Sequence, residues 1–358
     1  MKIAILSFFS GQNQRGVENW THEIAQRLTR KGNKLTVFQA GKNIPVSDYQ
    51  TFIVNLTVDW KKPDFRGSLA RRLFADYWSV RIAIFTLKII PKIWLEGFDI
   101  LIPTNGGWQV ALVRLITWLR GQKMVVVGHS GIGWDDANNL FSFPDVFVAL
   151  THEAQKWAKK INPFVKSVVI PNGVNLKTFY PLGKKAKIAL PEPIILVVGA
   201  LEPGKRIDLA IRAVSKLKNA SLLVLGKGKL ESKIKKLGSQ LLGKRFLLTC
   251  APHTELPEFY RACKVFTLPS WRQEAFGIVY LEALASGLPV VATDDSKRKE
   301  IIGNAGILVE PTDIQAYALA LGKALRINWK DKPRKQAEKF DWERISEKYA
   351  RLFENLLR

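Results

Sequence analysis

Cysteine and negative charge are both scarce in this chain. Only Cys250 and Cys263 are present among 358 residues, which argues against a disulfide scaffold and suits a reducing compartment. There are 31 acidic residues against 55 basic ones, for a formal net charge of +24. The deficit of acidic residues favours an anionic partner, for which nucleic acid, phosphate esters and an anionic membrane surface are the candidates.

Long apolar runs are missing as well. A membrane span needs roughly 18 uninterrupted apolar residues, and the segment "RIAIFTLKIIPKIWL" is broken by Arg81, Lys88, Pro91 and Lys92. The opening "MKIAILSFFS" has a short apolar core with no small-residue cleavage site after it, so we interpret it as a buried strand and not as a signal peptide. We therefore expect a cytoplasmic protein that does not cross a membrane.

What the sequence does contain is an alternation of short apolar runs with helix-length amphipathic segments. A first set extends from "KIAILSFF" to "SVVIPNG" and a second from "IILVVGAL" to "PVVAT", with a Pro- and Lys-bearing segment between them. This alternation is typical of parallel sheets wrapped by helices, and the length exceeds that of one hydrophobic core. We predict two Rossmann-like, doubly wound α/β domains, residues 1–185 and 186–338, followed by a C-terminal helix over residues 339–358.

The segment "RQEAFGIVYLEALASGLPVVATD" places two carboxylates around the predicted start of a helix. Glu274 lies in the strand-to-helix loop, and Glu282 lies inside the helix. The amides of Phe276, Gly277 and Ile278 at the helix start lack intrahelical acceptors and suit a diphosphate. Carboxylates accept hydrogen bonds from vicinal hydroxyls, so a nucleotide sugar fits this set. A loop acid and a solvated helix-surface acid are the plainer alternative.

Several segments together resemble a known family. "EAFGIVYLEALASGLPVVAT" is similar to the E-x7-E signature of the retaining GT-B glycosyltransferases of family 4 (glycosyl transferases group 1), and "NAGILVEPTD" is similar to the segment that follows it. "VVGALEPGKRIDLAIRAV", "PNGVNLKTFYP" and "RGVENWTHEIAQRLTRKGNKLTVF" extend the resemblance over most of the chain outside residues 50–100. It implies a GT-B fold, with two domains facing a central cleft and the C-terminal helix returning to the N-terminal domain.

The resemblance also implies a metal-independent hexosyl transfer with retention of configuration. The donor would be a UDP- or GDP-linked sugar and the acceptor a glycan or lipid-linked molecule of cell-surface polysaccharide or glycolipid synthesis. The leaving phosphate would take the acceptor proton. No cofactor beyond the donor is expected, and the sequence has neither zinc-ligand spacing nor a D-x-D pattern for a metal.

In the C-terminal domain the resemblance assigns three residues. Glu274 matches the glutamate that contacts donor-sugar hydroxyls, Glu282 the ribose-binding glutamate and Lys205 the lysine that neutralises the diphosphate. The family's arginine five residues before that lysine is Ala200 here. Arg206 is a candidate for replacing its charge, because a diphosphate that leaves without a metal needs fixed cations. Solvent-facing cations are the alternative, although a helix start is an unfavourable place for them.

In the N-terminal domain, Gly16 matches the second glycine of the family's Gly-Gly loop, with Arg15 in the place of the first. His129 ends a predicted strand and matches a histidine that contacts the donor sugar near the reacting centre, although a lone histidine is more often structural. Asp135 and Asp136 follow on a loop where acceptor hydroxyls are expected, and a solvated turn is the alternative.

The segment from Trp60 to Leu95 is rich in basic residues and tryptophan. A helical stripe is formed by Leu69, Leu73, Tyr77, Val80, Ile84 and Leu87. Basic residues with interfacial aromatics suit a helix lying on anionic lipid, here at the inner face of the plasma membrane. A core-facing helix with a solvated basic face is the competing interpretation.

Two other function classes compete with a transferase. A dinucleotide-dependent oxidoreductase needs G-x-G-x-x-G after the first strand, and "FFSGQNQRGVE" lacks that spacing. The charge leaves a nucleic-acid- or membrane-binding protein without transferase activity as the alternative. Because no recognisable nucleic-acid-binding module is present, we expect no nucleic-acid partner.

Overall fold

The computed structural model describes residues 1–12, 16–42, 47–59, 62 and 69–358. The chain divides into two compact units. The first unit consists of Met1–Pro171 and Trp342–Arg358, and the second of Asn172–Asp341.

The chain crosses between the units at 171/172 and 341/342, whereas the predicted boundaries lie at 185/186 and 338/339. Residues 172–185 are fastened to the second unit. Arg334 donates hydrogen bonds to the carbonyl oxygens of Phe179 at 2.7 Å and Leu176 at 3.2 Å, and Phe179 is buried. These residues were predicted to belong to the first domain, but their backbone is part of the second unit.

The first unit is built on one parallel sheet. Its strands are β1 (Lys2–Leu6), β2 (Lys34–Gln39), β3 (Gln50–Ile53), β4 (Ile100–Pro103), β5 (Lys123–Val127), β6 (Val146–Ala149) and β7 (Ser167–Val169). Their order in the sheet is β3-β2-β1-β4-β5-β6-β7. In the register of the central strands, Ile3 pairs with Leu35 on one side and with Ile100 on the other. These strands are almost wholly apolar because helices cover both faces of the sheet.

The helices of the first unit that precede its last strand are α1 (Gly16–Arg30), α2 (Leu69–Arg72), α3 (Tyr77–Glu96), α4 (Trp108–Arg120), α5 (Trp134–Phe141) and α6 (His152–Ile161). One part of the hydrophobic core lies between the sheet and helices α3 and α4. Phe85 and Ile89 of α3 and Val113 of α4 are fully buried there beside Leu101 of β4.

The second unit repeats the same plan. Its strands are β8 (Ile194–Val198), β9 (Ser221–Leu225), β10 (Phe246–Thr249), β11 (Val265–Leu268), β12 (Val290–Thr293) and β13 (Gly306–Val309). They are parallel in the order β10-β9-β8-β11-β12-β13. The helices are α7 (Ile207–Ser215), α8 (Glu231–Leu242), α9 (Leu256–Ala262), α10 (Ile278–Ala285), α11 (Ser296–Ile302), α12 (Ile314–Arg326) and α13 (Lys332–Glu338).

In both sheets the strand order reverses beside the first strand, between β1 and β4 and between β8 and β11. This is the doubly wound arrangement, in which ligands bind outside the carboxyl ends of the strands at the point of reversal. The predicted fold class of two Rossmann-like α/β sheets is confirmed.

The C-terminal helix, α14 (Trp342–Leu357), belongs to the first unit. Its apolar stripe is buried against α1. The Trp20 indole donates to the Tyr349 hydroxyl at 3.3 Å, and the Arg27 guanidinium pairs with Glu343 at 2.9 Å. The return of this helix to the N-terminal unit, implied by the family resemblance, is confirmed.

The stripe predicted between Leu69 and Leu87 does not belong to a single helix. The carboxylate of Asp76 accepts hydrogen bonds from the amides of Trp78 and Ser79 and starts a new helix, α3, at Tyr77. This N-cap separates α2 from α3, because the capping residue itself has extended backbone angles. Trp60 lies outside the described residues.

Candidate functional site

Lys205 and Glu274 meet at the point of strand reversal in the second unit. Lys205 ends a short 3-10 turn after β8, and Glu274 lies in the loop after the adjacent strand β11. The Lys205 ammonium forms an ion pair with the Glu274 carboxylate. Both side chains keep about a fifth of their surface exposed, so the pair is within reach of a ligand at the carboxyl edge of the sheet.

Arg206 is partly buried and binds groups at the carboxyl ends of β11 and β12. Its guanidinium donates to the carbonyl oxygens of Pro269 at 2.7 Å and Ser270 at 3.3 Å, and to the Thr293 hydroxyl at 3.3 Å. Its backbone has a φ of 48°, in the left-handed region that few non-glycine residues adopt. In this geometry the charge of Arg206 holds the start of the Glu274 loop.

Two further cations hold the same loop, and sequence reasoning missed both. Lys297 donates to the carbonyl oxygens of Arg272 and Glu274, the latter at 3.0 Å. Arg298 donates to the Ser270 hydroxyl at 2.7 Å, and both basic side chains are buried. The sequence "DDSKRKE" contained a signal for both residues. Cations in the first turn of a helix are unfavourable unless they bind an acceptor, as is also the case for Lys205.

The start of α10 requires glycine at position 277. Gly277 has a φ of 84°, and a Cβ atom there would lie 2.5 Å from the Tyr280 ring. Ile278 is the first helical residue, so its amide and that of Gly277 have no intrahelical acceptor, whereas the Tyr280 amide donates to the Gly277 carbonyl oxygen at 3.0 Å. The Phe276 side chain is buried, with its ring centroid 6.3 Å from that of Phe340, which leaves only its backbone for ligand contact.

Glu282 is a buried acid inside α10 and not a solvated helix-surface residue. It is 3% exposed. Its Oε2 accepts a hydrogen bond from the Tyr260 hydroxyl and its Oε1 accepts one from His253 Nε2, both at 3.0 Å. Burial, and then the adjacent Glu282 charge, raises the pKa of Tyr260 well above its ordinary value, which keeps the phenol a hydrogen-bond donor. Two neighbours therefore hold the carboxylate in one orientation.

His253 and Tyr260 were not among the predicted site residues. His253 stands in the "CAPHTELPE" segment before α9, and Tyr260 lies on α9 itself. Neither position carries a local motif, because their relation to Glu282 arises from packing of α9 against α10. Only the tertiary structure reveals it.

His129 directly follows β5 in the first unit. Its ring centroid is 4.9 Å from that of Trp20, and its Nε2 is buried without a hydrogen-bond partner among the described residues. Burial lowers the pKa of His129 to about 3. The imidazole is therefore neutral at physiological pH, with one nitrogen free for a hydrogen bond.

Asp135 and Asp136 lie in the first turn of α5 rather than in a solvated turn. Asp136 is buried and accepts hydrogen bonds from the Asn139 side chain at 3.2 Å and from the amides of Ser130 and Gly131. Burial, opposed by those hydrogen bonds, raises the pKa of Asp136 to about 8. Asp136 thus braces the loop that carries His129, whereas Asp135 is partly exposed.

Gly16 is the first residue of α1, and Arg15 before it lies outside the described residues. Across the described ranges no three His, Cys, Asp or Glu side chains are grouped so as to hold a metal ion. In that same part of the chain, no helix has the length and apolar character needed to cross a membrane.

Comparison with known proteins gives a consistent result over both units. Residues 14–178 match the family described as Glycosyltransferase Family 4, and residues 182–341 match that described as Glycosyl transferases group 1. The D-inositol 3-phosphate glycosyltransferase of Corynebacterium jeikeium is 30% identical, and the match covers 99% of this chain and 97% of that protein.

Other curated relatives are matched over about a quarter to three fifths of their length. One is the GDP-mannose-dependent alpha-(1-6)-phosphatidylinositol monomannoside mannosyltransferase of Mycolicibacterium smegmatis, 29% identical over 48% of this chain and 50% of that protein. Among solved structures, Anabaena HepE in complex with UDP-glucose is similar, with a TM-score of 0.78 and 16% identity over 99% of this chain and 100% of that one. This likeness confirms the predicted GT-B fold.

Proposed function

We propose that this chain, which belongs to the group 1, family 4 glycosyltransferases, is a hexosyltransferase. It would transfer a hexose from a nucleoside-diphosphate sugar to a glycan or lipid-linked acceptor. The transfer would retain configuration, use no metal ion and serve cell-surface polysaccharide or glycolipid synthesis. The observation that carries the proposal is the Lys205–Glu274 ion pair at the strand reversal of the second unit. The pair supports the proposal, because Lys205 would face the leaving diphosphate and Glu274 would accept hydrogen bonds from sugar hydroxyls.

In the proposed reaction the bond between the sugar C1 and the diphosphate oxygen breaks, and a bond from C1 to the acceptor oxygen forms on the same face. The acceptor hydroxyl gives its proton to the leaving phosphate. Lys205 would move from Glu274 to the diphosphate, and the free amides at the start of α10 would contact the same group. Fixed donors of this kind stabilise charge as it develops without reorganising.

The remaining groups orient the donor. Glu282 would accept hydrogen bonds from the ribose hydroxyls, with His253 and Tyr260 holding its carboxylate in place. His129 would offer its free Nε2 to a sugar hydroxyl. As a neutral imidazole with a pKa of about 3, it is too weak a base to take the acceptor proton, which agrees with giving that proton to the phosphate.

Thermal unfolding with candidate donors tests the proposal. The nucleotides of the comparison proteins, UDP-glucose and GDP-mannose, would be added with the free diphosphates in the presence of a chelator. A ligand at 100 times its Kd stabilises the native state by about 2.7 kcal/mol. We expect one nucleotide to raise the melting temperature in the wild type and to have a much smaller effect in Glu282→Gln.

The control is the melting temperature of Glu282→Gln without ligand, which must remain high enough for binding to be measured. A shift that requires divalent metal would contradict the metal-free reaction. No shift with any uridine or guanosine nucleotide in a folded protein would contradict the donor class.

A further inference from the structure

The outward side of α3 is apolar. The side of this helix that faces the sheet is filled by Ile82, Phe85, Ile89 and Ile93, which are all buried. On the opposite side Val80, Leu87 and Trp94 follow one another at intervals of seven residues, which places them on one line of the helix surface. They are 43%, 53% and 40% exposed, and the neighbouring Leu95 is 84% exposed. Of the stripe that the sequence indicated, Val80 and Leu87 lie on this exposed side of α3, which does not face the core.

The outward side of α4 has the same character. Trp108, Leu115, Trp118 and Leu119 recur at helical spacing and are each about half or more exposed. The core-facing side of α4 is made by other residues, including Val110 and Val113. Both helices therefore have two apolar sides, of which one is in contact with water.

These two stripes form one surface. Near the start of both helices, Trp108 Nε1 donates to the carbonyl oxygen of Phe74 at 3.0 Å. At their ends, Arg120 donates to the carbonyl oxygen of Trp94 at 3.4 Å. The helices therefore run side by side in the same direction. The α3–α4 face is defined here as Val80, Leu87, Trp94, Leu95, Trp108, Leu115, Trp118 and Leu119.

Cations accompany the aromatic rings of this face. The Arg120 guanidinium is exposed and lies 4.8 Å from the Trp94 ring centroid. That of Arg114 is 4.8 Å from the Trp118 ring centroid, but it is largely buried and paired with Asp145 at 2.7 Å. Lys88 is exposed on α3, and its ammonium donates to the carbonyl oxygen of Asn55 at 3.3 Å. Within the sequences of the two helices the one carboxylate is Glu96, which pairs with Lys92. The face is apolar at its centre and cationic around it.

We propose that the α3–α4 face docks the first unit onto an anionic lipid bilayer. The tryptophan and leucine side chains enter the boundary between head groups and acyl chains, and the exposed Arg120 and Lys88 side chains contact lipid phosphates. Large contiguous apolar patches are uncommon on soluble monomers, and a helix with tryptophan and leucine on one side and basic residues beside them is typical of interfacial binding. A second copy of the chain fits less well, because two such faces would bring their cations together. This proposal does not depend on the transfer reaction.

Vesicle flotation tests the docking. The full chain would be mixed with vesicles of phosphatidylcholine alone or of equal parts phosphatidylcholine and phosphatidylglycerol. We expect recovery with the anionic vesicles only. The double variant Trp118→Gln, Leu119→Gln should lower the partition coefficient by on the order of tenfold or more, because two apolar anchors are lost. Lys88→Gln should lower it by about fivefold, as one cation is lost near the lipid surface.

Leu319→Gln is the matched control. Leu319 is 72% exposed on α12 of the second unit, so this variant loses similar exposed apolar surface elsewhere, and its recovery should equal that of the wild type. Thermal unfolding would verify that every variant is folded. Equal recovery of the wild type and the double variant would overturn the proposal, as would equal binding to both kinds of vesicle. Dimerisation through this face in the absence of lipid, with no binding to vesicles, would assign it to a second copy instead.

Discussion

The two units hold their site residues in opposite states. In the second unit Lys205 is paired with Glu274, and Glu282 is bound by His253 and Tyr260. In the first unit His129 has a buried Nε2 that no described residue satisfies. A ligand that binds Lys205 or Glu282 would have to replace a contact that the side chain already makes within the protein. A hydrogen bond to His129 Nε2 would replace no such contact among the described residues. Buried polar atoms without partners are rare enough in proteins to require an explanation, and the proposed hydrogen bond between His129 and the donor sugar would supply one.

The strongest test of this contrast is Lys205→Gln. We expect the transfer rate to fall by on the order of 100- to 1,000-fold, because a fixed cation opposite the developing charge is lost. Stability should change by no more than about 1 kcal/mol, because partly exposed ion pairs contribute little to folding.

Lys244→Gln serves as the charge-matched control for that measurement. Lys244 is exposed in the turn before β10, at the other edge of the sheet, and its loss should leave the rate unchanged. Steady-state kinetics and urea unfolding of both variants decide the matter. A large loss of stability with little loss of rate would make the Lys205–Glu274 pair a structural one.

His129→Leu is expected to lower the transfer rate less than Lys205→Gln does and not to lower the free energy of unfolding. Transfer should fall by about 10- to 100-fold, the equivalent of one hydrogen bond at the donor. The free energy of unfolding should stay the same or rise, because a buried nitrogen without a partner is removed. His152→Leu, at an exposed histidine, is the control. If His129→Leu destabilises the protein strongly, the imidazole has a structural partner and the contrast between the units fails.

The prediction for Asp136 concerns the pH dependence of the free energy of unfolding. Burial raises its pKa from 3.8 to about 8 in the folded protein, so its contribution is present below about pH 3.8 and is lost as pH rises toward 8. The Asp136→Asn variant should lose less stability over this interval, by at most about 1.4 kcal/mol per pH unit. Urea midpoints at pH 5, 6.5 and 8 measure it.

His129 titrates with the opposite sign. Its pKa falls from 6.5 to about 3 on folding, so its stabilising contribution is present above pH 6.5 and is lost as pH falls. His129→Leu should therefore flatten the acid side of the stability profile, and Asp136→Asn the alkaline side. Parallel profiles for the wild type and both variants would show that these burial effects are absent.

Patterns that depend on neighbours in sequence were predictable. The strand and helix alternation specified both sheets, and the helix predicted for residues 339–358 is α14. The order of the motifs identified the family. Each of these follows from local periodicity or from a contiguous run of residues.

Features that depend on where a side chain points were not predictable. Arg206 carries the charge expected of a phosphate ligand, yet its guanidinium binds carbonyl oxygens of the Glu274 loop. Asp136 is adjacent to Asp135 and looked like part of a turn, but the first turn of α5 buries it. The α4 sequence "WQVALVRLITWLR" has enough apolar residues to cover two sides of a helix, and only the packing reveals which side stays in water.

The position of α14 has a consequence for the order of synthesis. Trp20 of α1 receives its aromatic neighbour Tyr349 only after the second unit has been translated. During that time the groove beside α1 presents an uncovered apolar surface in the nascent chain, a state open to premature association. The first unit leaves the ribosome before the second, but its folding is completed only when α14 follows the second unit out.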